Sequence, residues 1–180
     1  MRFTFLLLAA AGLFIGASTA SAWPNGTAQG GLTCSPCHGD ASGDVSVSIE
    51  GSATLAPSST GTYLAKIMGT TQVGAGVNVA TTDGSLTATA AGTGLSGVEV
   101  VHTQRNDTVF QYNFDVTAPA ALGAFNLNAA MLGYNDGDGA GNDNWNTTVF
   151  TINVVPEPAT VLLLGMGLAG LAVVGRRPRA

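Results

Sequence analysis

Apolar and polar residues alternate in several short runs between positions 44 and 155 of the chain. The clearest run has an apolar residue at every second position from Phe110 to Val116, and similar runs begin at Val45, Tyr63, Val77, Val98, Phe125 and Phe150. Glycine, serine, aspartate and proline separate the runs. Alternation with period two is typical of strands that bury one face, and turn residues between short runs are typical of antiparallel sheets. The pattern predicts an all-β domain, an antiparallel β-sandwich of seven or eight strands.

The two ends of the chain differ from this middle part. Residues 1–22 combine Arg2, an apolar run from Phe5 to Ile15 and the small residues Ala20-Ser21-Ala22, which is the organisation of a cleaved secretory signal helix. An uncleaved membrane anchor is the alternative. Near the carboxyl end, the apolar run from Ala159 to Gly175 is followed by arginines. As a helix this run is ~25 Å long, so it predicts a short transmembrane helix with a cytoplasmic carboxyl end.

The only two cysteines and one of the two histidines lie together in Cys34-Ser35-Pro36-Cys37-His38. C-x-x-C-H is the attachment motif of c-type haem: two thiols form thioethers with the haem, and the adjacent histidine is the proximal iron ligand. We therefore predict one covalent haem c held by Cys34, Cys37 and His38. A disulfide or free thiols in an oxidising compartment are an alternative, and a zinc site is another, for which only these residues and His102 are available.

The second axial position of such a haem has three candidate occupants. His102 is the only other histidine and lies at the end of a predicted strand. Met68 and Met131 are thioether candidates, although methionine in an apolar run is often core filler. An open or water-ligated iron is the third. The choice matters because the axial ligand sets the reduction potential and decides whether other ligands bind.

Charge in the predicted domain is sparse and acidic. The whole chain has a net charge of −5, and residues 23–155 carry ten acidic against two basic side chains, a net charge of −8. Such a surface repels nucleic acid and favours cationic partners. The sequence also lacks a nucleophile elbow and a phosphate-binding loop that opens a helix, so we predict that the protein is not an enzyme.

An oxygen-rich loop from Asn135 to Asn144 offers a weak candidate for calcium binding. Asp136, Asp138 and Asp143 supply carboxylates of the kind that Ca²⁺ prefers. The spacing does not match an EF-hand, and a solvated turn between strands is the alternative.

Two resemblances to known families add to this picture. Residues 155–160, Val-Pro-Glu-Pro-Ala-Thr, are followed by a Leu/Gly-rich apolar stretch and Arg176-Arg177. This arrangement resembles the PEP-CTERM sorting signal of Gram-negative bacteria. The resemblance implies recognition at Pro156, Glu157 and Pro158 by an exosortase, a membrane-embedded protease or transpeptidase. Processing would then release or re-anchor the protein at the cell envelope.

Residues 30–154 resemble the choice-of-anchor, reeler-like domains of exported bacterial proteins. The shared features are the Gly-rich C-x-x-C-H-G segment at 30–39, Gly61-Thr62-Tyr63, His102-Thr103, Thr117-Ala118-Pro119 and the loop at 135–144. The resemblance implies an Ig-like or reeler-like sandwich and export, but no defined activity. Phe114-Asp115-Val116 departs from it, since a tryptophan is expected nearby.

These observations predict four segments: a signal peptide at 1–22, a haem-attachment loop at 23–43, a β-sandwich at 44–155 and a sorting and anchor segment at 156–180. The predicted protein is an exported, envelope-anchored monohaem c-type cytochrome-like protein that transfers electrons. It depends on a c-type cytochrome maturation system, an exosortase, the membrane and an unidentified redox partner. It passes from the inner membrane to the periplasm, outer envelope or cell surface.

Two other functions fit the same residues. One is a non-enzymatic surface or matrix β-sandwich with a Cys34–Cys37 disulfide or a structural haem. The other is a haem sensor or peroxidase with an open distal side, for which His102 is the only available acid–base group.

Overall fold

β-strands form nearly all of the regular structure in the described part of the chain. A computed structural model describes residues 33–34, 38–69, 73–104, 108–134, 143–156, 163, 165–168 and 170–171. In chain order the strands are β1 (Ser46–Glu50), β2 (Thr54–Leu55), β3 (Thr60–Met68), β4 (Gly74–Thr81), β5 (Ser85–Ala88), β6 (Thr93–Ser96), β7 (Glu99–His102), β8 (Gln111–Thr117), β9 (Gly123–Tyr134) and β10 (Asn144–Val154). The prediction of an all-β fold is confirmed.

The strands form two sheets that share one core. One sheet has four strands in the order β1-β3-β8-β5, and the other has six in the order β2-β10-β9-β4-β7-β6. Neighbouring strands are antiparallel, except that β2 runs parallel to the end of β10. The apolar core contains residues from both sheets. The arrangement therefore has two layers, with β9 and β4 at the centre of the larger layer.

Aromatic side chains fill the space between the sheets. Tyr63 of β3 and Phe114 of β8 are paired residues on neighbouring strands, and their ring centroids lie 6.0 Å apart. Phe150 of β10 approaches Tyr63 edge-on from the opposite sheet, at 5.9 Å. Tyr112 of β8 also crosses the core, because its hydroxyl donates a hydrogen bond to the carbonyl of Ala75 in β4. Period-two alternation placed these residues on one face, as the sequence predicted.

One predicted inward residue lies outside the core. Val98 is 77% exposed. It lies with Gly97 in the two-residue connection between β6 and β7, where Ser96 pairs with Glu99. Gly97 has φ 63°. A tight hairpin of this kind needs a positive φ in its loop and turns the next side chain outward. The apolar alternation therefore starts with Val100 rather than with Val98.

The six-stranded sheet is also buried on parts of its second face. Alternate residues of β4, Ala75 and Val77, point into the shared core, so Gly76 points to the other side. Gly76 pairs with Leu132 of β9, which in turn pairs with Trp145 of β10. Leu132 and Trp145 are each only 5% exposed. This second face is where the candidate site begins.

The terminal helices predicted from the sequence are not established. The signal segment 1–22 lies outside the described residues. Helical backbone is assigned at described positions between 163 and 171, where Leu163, Met166, Leu168 and Leu171 are exposed. None of the helices in the described ranges is long and apolar enough to cross a membrane.

Candidate functional site

Two residues of the C-x-x-C-H motif, Cys34 and His38, lie in the described part of the chain just before the first sheet. The backbone N–H of His38 donates to the carbonyl of Cys34, at 3.1 Å, which is the hydrogen bond of an α-helical turn. Residues four apart in such a turn lie on the same face. Cys34 and His38 are both partly buried. Cys37 lies outside the described residues, so its position relative to the other two remains a prediction.

The imidazole of His38 lies beside a buried carboxylate. Nδ1 of His38 is 3.1 Å from Oδ2 of Asp143, and the Asp143 side chain is only 6% exposed. The distance suits an ion pair, whereas the N–H direction is not aligned for a hydrogen bond to a described residue. The carboxylate therefore lies on the Nδ1 side of the ring, and Nε2 lies on the side away from it.

The loop that follows His38 is joined to the beginning of β10. Trp145 donates from Nε1 to the carbonyl of Gly39, at 2.9 Å, and its own carbonyl accepts from the N–H of Ser42, also at 2.9 Å. Asn146 donates from Nδ2 to the carbonyl of Val45, at 3.0 Å. These bonds hold the motif segment at one end of the six-stranded sheet. Gly39 has φ 72°, which a glycine adopts without strain.

The second histidine lies at the end of β7, against the backbone of β4. Nδ1 of His102 is 3.1 Å from both the N–H nitrogen and the carbonyl oxygen of Val77. In the tautomer that donates to this carbonyl, Nε2 carries the lone pair. A Cβ atom built on Gly76 would lie 2.8 Å from Cε1 of His102 and 3.0 Å from the hydroxyl of Tyr134. The imidazole and the phenol therefore lie side by side above this glycine.

The two histidines are close enough to interact electrostatically. Burial lowers the pKa of His102, a hydrogen bond to Val77 opposes this effect, and the charge of His38 lowers the pKa further. The structure therefore brings both sequence-predicted iron ligands to the same end of the domain, with the His102 imidazole neutral at neutral pH.

The other candidate ligands are placed differently. Met131 is fully buried in the core between the sheets, as is typical of core filler, and Met68 is 59% exposed at the end of β3. Asp143 pairs with His38, while Asp136 and Asp138 lie outside the described residues. In the described ranges, His, Cys, Asp and Glu side chains do not form a group of three or more suited to a metal ion. Calcium binding by the 135–144 loop remains a prediction.

The sequence interpretation missed three residues of this site. Asp143 is predicted from the sequence only as a weak calcium ligand and not as the partner of His38, and Trp145 and Gly76 are not identified. A tryptophan in an Asn-rich stretch was a weak signal for a buried contact, and a glycine inside a strand pattern was a signal for a close approach.

Comparison with known proteins identifies the carboxyl-terminal segment. The family model of the PEP-CTERM protein-sorting motif matches residues 154–177. The match begins at Val154, the last residue of β10, and contains Pro156, Glu157 and Pro158. No curated protein matches the chain. The motif implies an exported, envelope-associated protein that is processed by an exosortase, and this part of the prediction is confirmed.

Proposed function

We propose that this exported protein is a monohaem c-type cytochrome that transfers electrons at the cell envelope. The observation that carries the proposal is the placement of His38, whose backbone N–H donates to the Cys34 carbonyl and whose imidazole Nδ1 lies beside the buried carboxylate of Asp143. Iron-ligating histidines commonly have this partner, because it orients the ring and increases the basicity of the coordinating nitrogen. Cys34 and Cys37 would hold the haem through thioether bonds, and His38 would be the proximal ligand.

The protein groups around this position fit a covalent haem. The Asp143 carboxylate lies on the Nδ1 side of His38, and the Val77 carbonyl lies on the Nδ1 side of His102, so the Nε2 edge of each ring would be the one available to the iron. The haem itself would supply a one-electron change between ferric and ferrous iron. The buried carboxylate favours the more positive ferric state and so lowers the reduction potential. Trp145 and Asn146 keep the attachment segment in place on the sheet.

The electron-transfer partner is expected to be basic at its contact surface. Residues 23–155 carry a net charge of −8. Asp40 and Asp44 are exposed in the loop next to His38. Complementary charges accelerate encounter and select partners more than they raise affinity. A salt-sensitive association rate with a cationic redox protein would agree with this expectation.

A surface or matrix module is the second candidate function. It is favoured by the sorting motif at residues 154–177 and by the small number of charged residues in this β-rich chain. In that case Cys34 and Cys37 would form a disulfide, and the buried Asp143 would stabilise only a positively charged His38. The two functions differ in one measurable property, the presence of a covalent haem.

The deciding experiment is expression of the full chain together with a c-type cytochrome maturation system. The purified protein is denatured and measured by pyridine haemochrome absorption and by intact mass. We expect a covalent haem band and a mass increase of ~616 Da, and we expect neither in a variant with both cysteines changed to serine. A wild-type protein without added mass would refute the cytochrome function and leave the surface module.

The finer steps of sorting belong to the same proposal. We infer that residues 159–175 form a temporary membrane helix and that the precursor is held in the inner membrane before transfer to the outer envelope or surface. The Ig-like or reeler-like class of the sandwich is likewise proposed. Changing Pro156, Glu157 and Pro158 together to alanine should leave an unprocessed inner-membrane species on immunoblots of fractionated cells. Normal processing of this variant would contradict the assignment.

A further inference from the structure

We infer that Gly76 positions the imidazole of His102, which would be the second histidine ligand of the haem iron together with His38. The inference rests on the proposed haem function and adds to it a positioning residue and a coordination state. Gly76 does not touch the haem in this scheme. It acts through the ring that lies directly above it.

The position of Gly76 in a central strand needs a reason. β4 is buried along nearly its whole length, and the neighbours Ala75 and Val77 fill the core. A glycine inside a strand costs about 0.5–1 kcal/mol relative to alanine. Such a glycine often marks a place where another group approaches the backbone closely. Here the approaching group is the imidazole of His102, which would be 2.8 Å from a Cβ atom at this position.

The imidazole is fixed from two sides. Its Nδ1 is 3.1 Å from the backbone nitrogen and oxygen of Val77, and the hydroxyl of Tyr134 lies beside it above Gly76. The edge of the ring that carries Nδ1 and Cε1 thus faces β4. Within the described part of the chain, the hydrogen bonds of the His102 ring involve Nδ1 and not Nε2. A ring held in this way is preorganised so that its Nε2 can coordinate a metal ion.

The relation between the two histidines supports the same pairing. The strand register places the two histidines at the same end of the six-stranded sheet, because Gly76 pairs with Leu132, and Leu132 pairs with Trp145, which holds the loop after His38. Methionine is disfavoured as the second ligand, because Met131 faces the core on the opposite side of the sheet from Gly76.

The test compares the absorption and electron paramagnetic resonance spectra of haem-loaded full-length variants. The wild type is expected to be six-coordinate and low-spin in the ferric state. Gly76→Ala places a methyl group against the His102 ring and should weaken the contacts that hold this ring against β4. Loss of about one hydrogen bond corresponds to a five- to tenfold increase in the fraction of molecules in which His102 does not bind the iron. This increase is seen as a high-spin signal and faster cyanide binding. His102→Gly should be high-spin and should return to low-spin when imidazole is added.

Leu122→Ala is the control. Leu122 is 60% exposed and directly precedes β9, outside the contacts that hold His38 and His102. This variant should have the wild-type spectrum. Circular dichroism verifies that each variant is folded. If Gly76→Ala does not fold, the imidazole rescue of His102→Gly decides the ligand assignment.

The outcomes separate this inference from the proposed function. Covalent haem with a high-spin wild type would overturn the inference and leave the cytochrome function intact. A Gly76→Ala spectrum identical to the wild type would also overturn it, as would a His102→Gly variant that stays low-spin without imidazole. Absence of covalent haem from the wild type would overturn both.

Discussion

Tyr112 connects the two sheets next to the candidate site, and its removal gives a quantitative test of the structure. The side chain is 1% exposed, and its hydroxyl donates to the carbonyl of Ala75, the residue before Gly76. Tyr112→Phe keeps the ring in the core and removes only the hydroxyl. At neutral pH we expect the free energy of unfolding to fall by about 1–2 kcal/mol, the usual effect of losing one buried hydrogen bond.

The same hydroxyl makes the wild type sensitive to alkali. Burial raises the pKa of Tyr112 to about 12 from its ordinary value of 10.0. Between these values the unfolded chain has lost the phenol proton while the folded chain keeps it, so stability falls as the pH rises. Two pKa units correspond to roughly 2.7 kcal/mol, which is present below pH 10 and is lost towards pH 12. Because this loss exceeds the cost of the substitution, the order of stability should reverse.

Urea denaturation followed by circular dichroism, from neutral pH to about pH 12, measures this reversal. The relevant quantity is the difference in free energy of unfolding between the wild type and Tyr112→Phe. Burial also raises the pKa of Tyr63, but this residue is present in both proteins, so its effect cancels. A difference that stays constant over the whole pH range would refute the buried contact between Tyr112 and Ala75.

Three further substitutions test the site and the core. Trp145→Phe removes the donor to the Gly39 carbonyl and should cost about 1 kcal/mol in urea denaturation, whereas an unchanged midpoint would contradict this contact. Asp143→Asn removes the negative charge beside His38 and should raise the midpoint potential of the haem-loaded protein by roughly 50–100 mV in a potentiometric titration. A lower potential would contradict the electrostatic role of Asp143. Phe114→Ala empties a fully buried site and should cost about 3–5 kcal/mol, seen as a large fall in melting temperature. A melting temperature like that of the wild type would exclude Phe114 from the core.

Much of the fold could be predicted because its strands alternate large apolar and polar residues. Tyr112 and Phe114 are inward residues of β8, and Leu127 and Met131 are inward residues of β9. β2, β5 and β6 were not predicted, since each has only two to four residues and includes exposed positions. The pairing of strands into two sheets also could not be predicted, because alternation defines which face is buried but not which strand lies alongside.

The candidate site was only partly predictable. Cys34 and His38 belong to a local motif whose chemistry depends on spacing alone, and His102 was the only other histidine. Asp143 follows His38 by more than one hundred residues, and only the attachment of the motif segment to the start of β10 brings them together. The proposed role of Gly76 could not be assigned from the sequence for the same reason, because it depends on His102 at the end of β7.

β10 gives the site and the sorting segment a fixed relationship. The strand begins at Asn144, next to the Asp143–His38 pair, and ends at Val154, where the sorting motif starts. Its end is held by parallel pairing with Leu55. At about 3.3 Å per residue, the strand separates the two by ~30 Å. If the protein is retained through residues after Pro156, its attachment would therefore lie at the end of β10 opposite the Asp143–His38 pair. A redox partner would reach the candidate haem without passing the anchor, which agrees with a diffusing cationic partner better than with one buried in the same membrane.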